Sequence, residues 1–339
     1  MMRSQAIRSR ILGTGRYLPP QILKNKDLEM MMETSDEWIQ QRTGIKQRHW
    51  VDVHSTTTTS DLALEAAKKA LDAAHVKKEE LDMIIVATLS PDHEFPGTAC
   101  FLQAKLGLSG MPALDVRQQC TGFIYSLAIA DNFIRTGMCK KVLIVGAEVH
   151  SKGLDRSPAG RDVTVLFGDG AGAVVLGVSD DPESGVLSTH LHADGAYAKD
   201  LWLQASGLEY PNCRLSHDII DRGEHFPKMN GKAVFAHAVR RMPEAVMEAL
   251  GAHGKKISDV DLFLFHQANL RINEMVAKQL EIPADKVFNT IDRFANTTAA
   301  TIPIGMNVAL EENKLKPGML VATAAFGSGF TWGSALIRW

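Results

Sequence analysis

Leu81-Asp-Met-Ile-Ile-Val-Ala-Thr-Leu89 and Val260-Asp-Leu-Phe-Leu-Phe-His-Gln-Ala268 are two short apolar runs, each following a helix end of mixed acidic and basic residues. Runs of this length, rich in branched and aromatic side chains and lacking alternation, read as buried central strands. Two more matched pairs follow in the same order. Lys141-Val-Leu-Ile-Val-Gly-Ala147 is echoed by Gly318-Met-Leu-Val-Ala-Thr-Ala324. Phe167-Gly-Asp-Gly-Ala-Gly-Ala-Val-Val-Leu176 is echoed by Phe326-Gly-Ser-Gly-Phe-Thr-Trp-Gly-Ser-Ala-Leu-Ile337. Strands alternating with helical patterns predict α/β layers around a largely buried sheet. The three pairs predict a duplicated architecture whose boundary falls near Ser179-Asp-Asp-Pro182, giving halves 1–179 and 180–339. Between Ala193 and Met229 the pattern is irregular, which predicts an insertion or lid with no assigned elements.

At 339 residues and 45% hydrophobic, the chain can bury a large core. A formal net charge of −2, with no long block of like charge, argues against a nucleic-acid binder or a polybasic membrane anchor. No window approaches the roughly 18 apolar residues of a spanning helix. Three arginines in the first ten residues run straight into Ile11-Leu12-Gly13, without the apolar stretch of a signal peptide. Cysteines at 100, 120, 139 and 213 have neither C-x-x-C spacing nor disulfide-scaffold density, so a reducing cytoplasm is expected. Metal-binding and P-loop signatures are missing, and neither metal nor cofactor is expected.

The sharpest chemical signal is a strand, Ala113-Leu-Asp-Val-Arg-Gln-Gln-Cys120, running into a helix that continues to Arg135. Phe123, Leu127, Ala130 and Ile134 lie at helical spacing, and Gly137 stands where a C′ residue would end the helix. Cys120 then occupies the first turn of a buried helix, where free N–H groups and the macrodipole favour a thiolate. The competing reading is a cysteine packed as a small hydrophobe. The second half repeats the junction: a strand Lys286-Val-Phe-Asn-Thr-Ile291, a turn, and a helix from about Thr298 to Glu312. Asn296 falls at that turn and, taken singly, reads as an N-cap or turn residue. His266 ends the strand Leu262-Phe-Leu-Phe265 at the carboxyl edge, where open α/β sheets place ligands, although it also reads as a satisfied strand-end histidine. The glycine-rich turns Phe167–Gly170 and Phe326–Phe330 allow close backbone approach to a ligand or partner.

Along essentially its whole length the sequence resembles the ketoacyl-acyl-carrier-protein synthase III enzymes of the thiolase superfamily. The motifs that carry the resemblance are Thr34-Ser-Asp-Glu-Trp-Ile39, Arg42-Thr-Gly-Ile45, Cys120-Thr-Gly-Phe123, Phe167-Gly-Asp-Gly-Ala-Gly172, His266-Gln-Ala-Asn-Leu-Arg-Ile272, Asn296-Thr297 and Gly329-Phe-Thr-Trp-Gly-Ser-Ala-Leu336. The resemblance implies a thiolase-like five-layered α-β-α-β-α sandwich of two pseudo-duplicated halves, assembled as a homodimer. It implies decarboxylative condensation of a short acyl-CoA, such as acetyl-CoA, with malonyl-acyl carrier protein. The implied catalytic set is Cys120, His266 and Asn296, with backbone N–H groups of Cys120 and Ser328 as the oxyanion hole. Trp38, Arg42 and Arg161 would grip the adenine and phosphates of coenzyme A, and Gly231, Phe235 and Asn269 would wall the pantetheine tunnel. Arg271 would help dock the carrier protein, and Phe95 would close the partner's acyl pocket across the dimer interface. The sequence departs from the family pattern at Phe294-Ala295, where a glycine usually precedes the asparagine. Ser328 also replaces a common glycine, and Ala236 a common basic residue. The long 193–229 segment motivates a second reading, a starter ketosynthase or acyltransferase of polyketide, alkylquinolone or long-chain lipid synthesis with a CoA-linked second substrate. A non-catalytic partner subunit is the reading from another class.

Overall fold

The computed structural model describes residues 7–181, 183–211 and 214–339, so Pro182 and Cys213 lie outside the described residues, as do 1–6. Two sheets carry the fold. The first contains β1 (Ser9–Tyr17), β2 (Met83–Ala87), β3 (Ala113–Val116), β4 (Lys141–Glu148) and β5 (Gly170–Val178), in the order β1-β5-β4-β2-β3. The second contains β6 (Gly185–Ala193), β7 (Leu262–Phe265), β8 (Leu320–Gly327) and β9 (Thr331–Arg338), in the order β7-β8-β9-β6. Pairing from β2 to β4 to β5 to β1 is parallel, antiparallel, antiparallel. From β7 to β8 to β9 to β6 it is the same. The matched runs of the sequence are therefore matched strands.

Burial on both faces of each sheet explains their continuous apolar character. In β2, Met83 and Ile85 face a central core shared with Phe123, Leu127 and Ile134 of α2 (Gly122–Arg135). Leu264 and Val321 of the second sheet and Ile302 and Met306 of α5 (Thr301–Glu311) enter the same core. Ile84 and Val86 point the other way, against Leu62, Ala66 and Ala70 of α1 (Thr59–Ala74). On the far side of the second sheet, Phe263, Phe265 and Ala322 pack on Met242 and Val246 of α3 (Gly231–Gly251) and Val276 of α4 (Leu270–Gln279). The layers run α1, sheet, α2 with α5, sheet, α3 with α4, the expected five-layered sandwich.

Local elements follow the expectations with three differences. Phe123, Leu127, Ala130 and Ile134 are buried on α2, and Gly137, at φ +78°, follows its C-cap Thr136. A short 3-10 turn, Gln119–Thr121, precedes α2 and carries Cys120. The expected strand at 286–291 is reduced to a single parallel bridge of Val287 with Phe263. Gln267 accounts for this: its Oε1 accepts the N–H groups of Thr290 and Ile291 at 2.9 and 3.1 Å, turning the chain into the short helix Ile291–Phe294. The 193–229 segment holds a 3-10 stretch Gly195–Asp200, a two-residue pairing of Leu201–Trp202 with Lys228–Met229, and a helix His217–Asp221 capped by Ser216.

Glycines of the Phe167–Gly172 run serve packing between the halves. A Cβ at Gly172 would lie 2.6 Å from the backbone nitrogen of Ile304 in α5, and one at Gly168 would lie 2.6 Å from the Phe294 carbonyl. Their absence lets α5 and the Asn296 turn lie against β5. Among the described residues no helix is long and apolar enough to cross a membrane, and no group of three His, Cys, Asp or Glu side chains is arranged to hold a metal.

Candidate active site

Cys120, His266 and Asn296 come from three different junctions that meet at one edge. Cys120, on the turn ahead of α2, is buried against the end of β8, where a Cβ on Gly327 would fall 2.6 Å from Cys120 Cβ and 3.2 Å from Sγ. His266 continues β7 alongside β8, its N–H donating to the Ala324 carbonyl at 2.9 Å. Asn296 is drawn across from the second half by backbone pairing, its N–H donating to the Leu166 carbonyl at 2.9 Å and its own carbonyl accepting from Gly168 N–H at 3.0 Å. The Gln119–Thr121 turn packs on both β8 and the Thr298–Ala300 turn that follows Asn296. All three residues are more than nine-tenths buried.

Each polar side chain is aimed by one committed atom. Asn296 Oδ1 accepts from Thr298 N–H at 2.8 Å, which leaves its Nδ2 donors free. His266 Nδ1 lies 2.7 Å from Thr301 Oγ1, while Nε2 is buried with no partner among the described residues. The Thr301 hydroxyl donates to the Thr298 carbonyl at 3.0 Å, which makes its oxygen the acceptor of Nδ1–H; turning the hydroxyl to Nδ1 gives the other tautomer, with the proton on Nε2. An unpartnered buried nitrogen is costly unless a ligand satisfies it. Burial lowers the His266 pKa to about 3, so the ring is neutral at physiological pH.

Cys120 differs from the helix-start expectation. Burial, reinforced by the Glu148 carboxylate, pushes its thiol up to about 12, against the pull of backbone N–H groups of Cys120 and Ser328. Burial against β8, β9 and the Thr298–Ala300 turn outweighs the helix start, and the resting group is a thiol. Those two N–H groups are the pair expected of the oxyanion hole, and the Ser328 hydroxyl is turned away to the Leu201 carbonyl. Glu148 ends β4, accepting from Leu89 and Ser90 N–H and from the Thr88 and Ser90 hydroxyls, and its own pKa is raised by burial to about 7.

The residues expected to hold coenzyme A form a connected rim. The guanidinium carbons of Arg42 and Arg161 lie 4.7 and 4.5 Å from the Trp38 ring centroid, and Arg161 Nη1 donates to the Glu33 carbonyl at 3.2 Å. Asn269 Nδ2 donates to the Arg42 carbonyl at 2.9 Å while its Oδ1 caps α4 through Arg271 N–H. Arg271 stands 5.7 Å from the Phe235 ring, on the helix that Gly231 begins. Asn269 is therefore spent on joining the rim. Phe95 is not at the site of its own chain: it is 80% exposed, on a loop whose Glu94 pairs with Arg214 of the 193–229 segment at 3.3 Å. Glu148, His150, Thr298, Thr301 and Gly327 were not singled out from sequence. For Glu148 and His150 a signal existed, because an acid and a histidine at the carboxyl end of a buried strand repeat the logic that marked His266.

Residues 114–195 match the family model described as 3-oxoacyl-[acyl-carrier-protein (ACP)] synthase III, and residues 250–339 match its C-terminal counterpart. The chain is 46% identical, over 99% of both chains, to the beta-ketoacyl-[acyl-carrier-protein] synthase III of Caldanaerobacter subterraneus subsp. tengcongensis. The crystal structure of 3-oxoacyl-[acyl-carrier-protein] synthase III from Aquifex aeolicus superposes with a TM-score of 0.88 at 44% identity, covering 98% of this chain and 100% of that one. A priming beta-ketosynthase from the R1128 polyketide pathway superposes with a TM-score of 0.88 at 28% identity, covering 99% and 98%. Identity of this depth over the full length, on a thiolase-like fold with cysteine, histidine and asparagine at one edge, establishes that the chain belongs to the 3-oxoacyl-[acyl-carrier-protein] synthase III family.

Proposed function

We propose that this protein is a β-ketoacyl-acyl-carrier-protein synthase III, condensing a short acyl-CoA with malonyl-acyl carrier protein to begin fatty-acid synthesis. The observation that carries the reading is the buried Cys120 sulfur lying beside the Ser328 N–H, on the edge where His266 Nε2 has no partner among the described residues. In the first half-reaction Cys120 sulfur attacks the acyl-CoA carbonyl, and the tetrahedral oxyanion is held by the backbone N–H groups of Cys120 and Ser328. The C–S bond to coenzyme A breaks, and the proton that began on Cys120 ends on the coenzyme A thiol. In the second, malonyl carrier protein loses carbon dioxide, and the electron pair of the broken C–C bond becomes an enolate held by His266 Nε2–H and Asn296 Nδ2–H. Its carbon attacks the Cys120 thioester, and the C–S bond breaks to give the 3-oxoacyl product and the Cys120 thiolate. The thiolate takes a proton from solvent to restore the thiol, a sequence that balances without a metal or redox group.

Trp38, Arg42 and Arg161 stack on and pair with the nucleotide end of coenzyme A, Gly231, Phe235 and Asn269 line its approach, and Arg271 meets the carrier protein. The enzyme works as a cytoplasmic homodimer in which the exposed Phe95 closes the partner's acyl pocket. Its halves divide as 1–179 and 180–339, a reading supported by the two sheets, whose strands all end by Val178 or begin at Gly185. The likeness to the R1128 priming ketosynthase favours, as second reading, a starter synthase that takes a CoA-linked extender.

Intact-mass measurement after exposure to a series of acyl-CoAs tests the first half-reaction, with an acyl mass expected on Cys120. Carbon dioxide release is then compared for malonyl carrier protein and malonyl-CoA. No adduct on Cys120 overturns the enzyme reading, and equal or faster release from malonyl-CoA selects the second.

A further inference from the structure

Asn296 and His266 are aimed by bonds that lead to the same residue. Thr298 donates its N–H to Asn296 Oδ1 at 2.8 Å. Its carbonyl lies 3.0 Å from the Thr301 hydroxyl, whose oxygen is 2.7 Å from His266 Nδ1. The peptide units on either side of Thr298 thus fix the free face of one side chain and, through Thr301, of the other. Thr298 is fully buried and held at φ +51°, the left-handed region that a β-branched residue rarely adopts. Such a conformation persists only where the surroundings over-determine it. The restraint present is a bond of 2.6 Å between Thr298 Oγ1 and His150 Nε2. His150 is itself pinned: its N–H donates to Asp169 Oδ1 at 2.7 Å, and its ring packs 4.5 Å from Phe167, the residue that bridges to Asn296.

We propose that Thr298, seated on His150, is a positioning residue that aims Asn296 Nδ2 and His266 Nε2 as one unit. The inference rests on the reading that those two groups bind the enolate. It predicts that they are lost together when the seat is removed, while Cys120, whose turn touches the Thr298–Ala300 turn but is also fixed against β8 at Gly327, still accepts an acyl group. Displacement of a reacting group by about 1 Å can cost roughly 100-fold in rate.

The test uses four variants of the full chain. Thr298→Val and His150→Leu delete the seat while keeping bulk; Thr298→Ser and His150→Gln retain a polar group able to bridge. Acylation of Cys120 by acetyl-CoA is followed by intact mass, and decarboxylation of malonyl carrier protein by carbon dioxide release. Expected for Val and Leu is acylation within about 3-fold of wild type, decarboxylation kcat down roughly 100-fold and KM within about 2-fold, with Ser and Gln restoring most of the rate. Should Thr298→Val not fold, the His150 pair decides by itself. Nitrogen-15 spectra of the histidine rings give a readout independent of turnover: the His266 Nδ1 and Nε2 signals move in Thr298→Val and return in Thr298→Ser. Equal losses in both half-reactions, or unchanged decarboxylation and unmoved His266 signals, overturn the proposal. Failure of wild-type Cys120 to acylate counts against the functional reading alone, because the ring spectra still report on Thr298.

Discussion

Gly327 and Cys120 occupy space that neither can share with another heavy atom: a Cβ on Gly327 would stand 2.6 Å from Cys120 Cβ and 3.1 Å from its backbone nitrogen. Both obstacles belong to the Cys120 turn, which is packed against β8 and the Thr298–Ala300 turn, so neither yields cheaply. Gly327→Ala is expected to move Cys120 off the Ser328 N–H, slow acylation at least 100-fold and cost about 1–3 kcal/mol of stability. Single-turnover intact mass and thermal unfolding read the two effects. Normal acylation in this variant would show that the Cys120–Ser328 geometry is not needed.

A thiol pushed up to about 12 should alkylate slowly at neutral pH, with a rate rising about 10-fold per pH unit through pH 9 as the thiolate fraction grows. Glu148 contributes to that push only when ionised, which requires pH near or above its own raised value of about 7. Glu148→Gln is therefore expected to speed iodoacetamide labelling of Cys120 at pH 9 and to change little at pH 5.5. The same raised value makes the carboxyl a stability liability. Its folded-state pKa exceeds the ordinary 4.5, so the stability it confers is complete below pH 4.5 and is lost as pH rises through 7. The difference is about 3 kcal/mol, and Glu148→Gln should narrow the fall in melting temperature between pH 5 and pH 8. A labelling rate that levels off below pH 8 would contradict the thiol assignment.

The strands were legible because a buried sheet leaves continuous apolar runs, and β2, β4, β7 and β8 fall where those runs lie. Cys120, Asn296 and His266 could be nominated because each ends an element of readable type. The strand expected at 286–291 fails for a reason no period reveals, since Gln267, about twenty residues upstream, takes the N–H groups of Thr290 and Ile291. The Thr298–His150 bond spans 148 positions and joins the two halves, so the local pattern around either residue is silent about it. The state of Cys120 was misjudged on the same ground: a helix start is local, whereas the burial that dominates it is assembled from β8, β9 and the Thr298–Ala300 turn, far downstream in the chain.

His266→Ala and Asn296→Ala each remove one of the side chains proposed to hold the enolate, without touching the Cys120 N–H contacts. Acylation should survive in both, and decarboxylation should fall roughly 100- to 1000-fold. The double variant should be little worse than either single one if the donors act as a unit. Carbon dioxide release beside intact mass measures both steps, and undiminished release in both single variants would remove these residues from the second half-reaction.

Ala295, where the family pattern carries glycine, sits at φ +56°, ψ −156°, a region that residues with a Cβ avoid. It is buried immediately before Asn296. Ala295→Gly relieves about 1–3 kcal/mol of strain against about 0.5–1 kcal/mol of added chain entropy in the unfolded state. A rise in melting temperature with unchanged condensation is expected; a fall would mean that the surroundings had already accommodated the methyl group.

Phe95 is a large apolar side chain left 80% exposed by its own chain, on a loop braced by Glu94–Arg214 and anchored through Ser90 to Glu148. An aromatic ring held out on a braced loop fits a wedge that enters a second subunit, where it would cap the acyl pocket. Close-packed surroundings do not stretch to admit several methylenes without about 1–3 kcal/mol of strain, so wild type should prefer acetyl-CoA to octanoyl-CoA. Phe95→Thr should shift that preference toward the longer chain, by 10-fold or more if the whole strain is released. Competition of the two thioesters for Cys120, read by intact mass, measures the ratio, and sedimentation at the same concentration reports whether two chains are associated. Preferential octanoylation of wild type, or a ratio unmoved by Phe95→Thr in an associated sample, would take Phe95 out of the pocket.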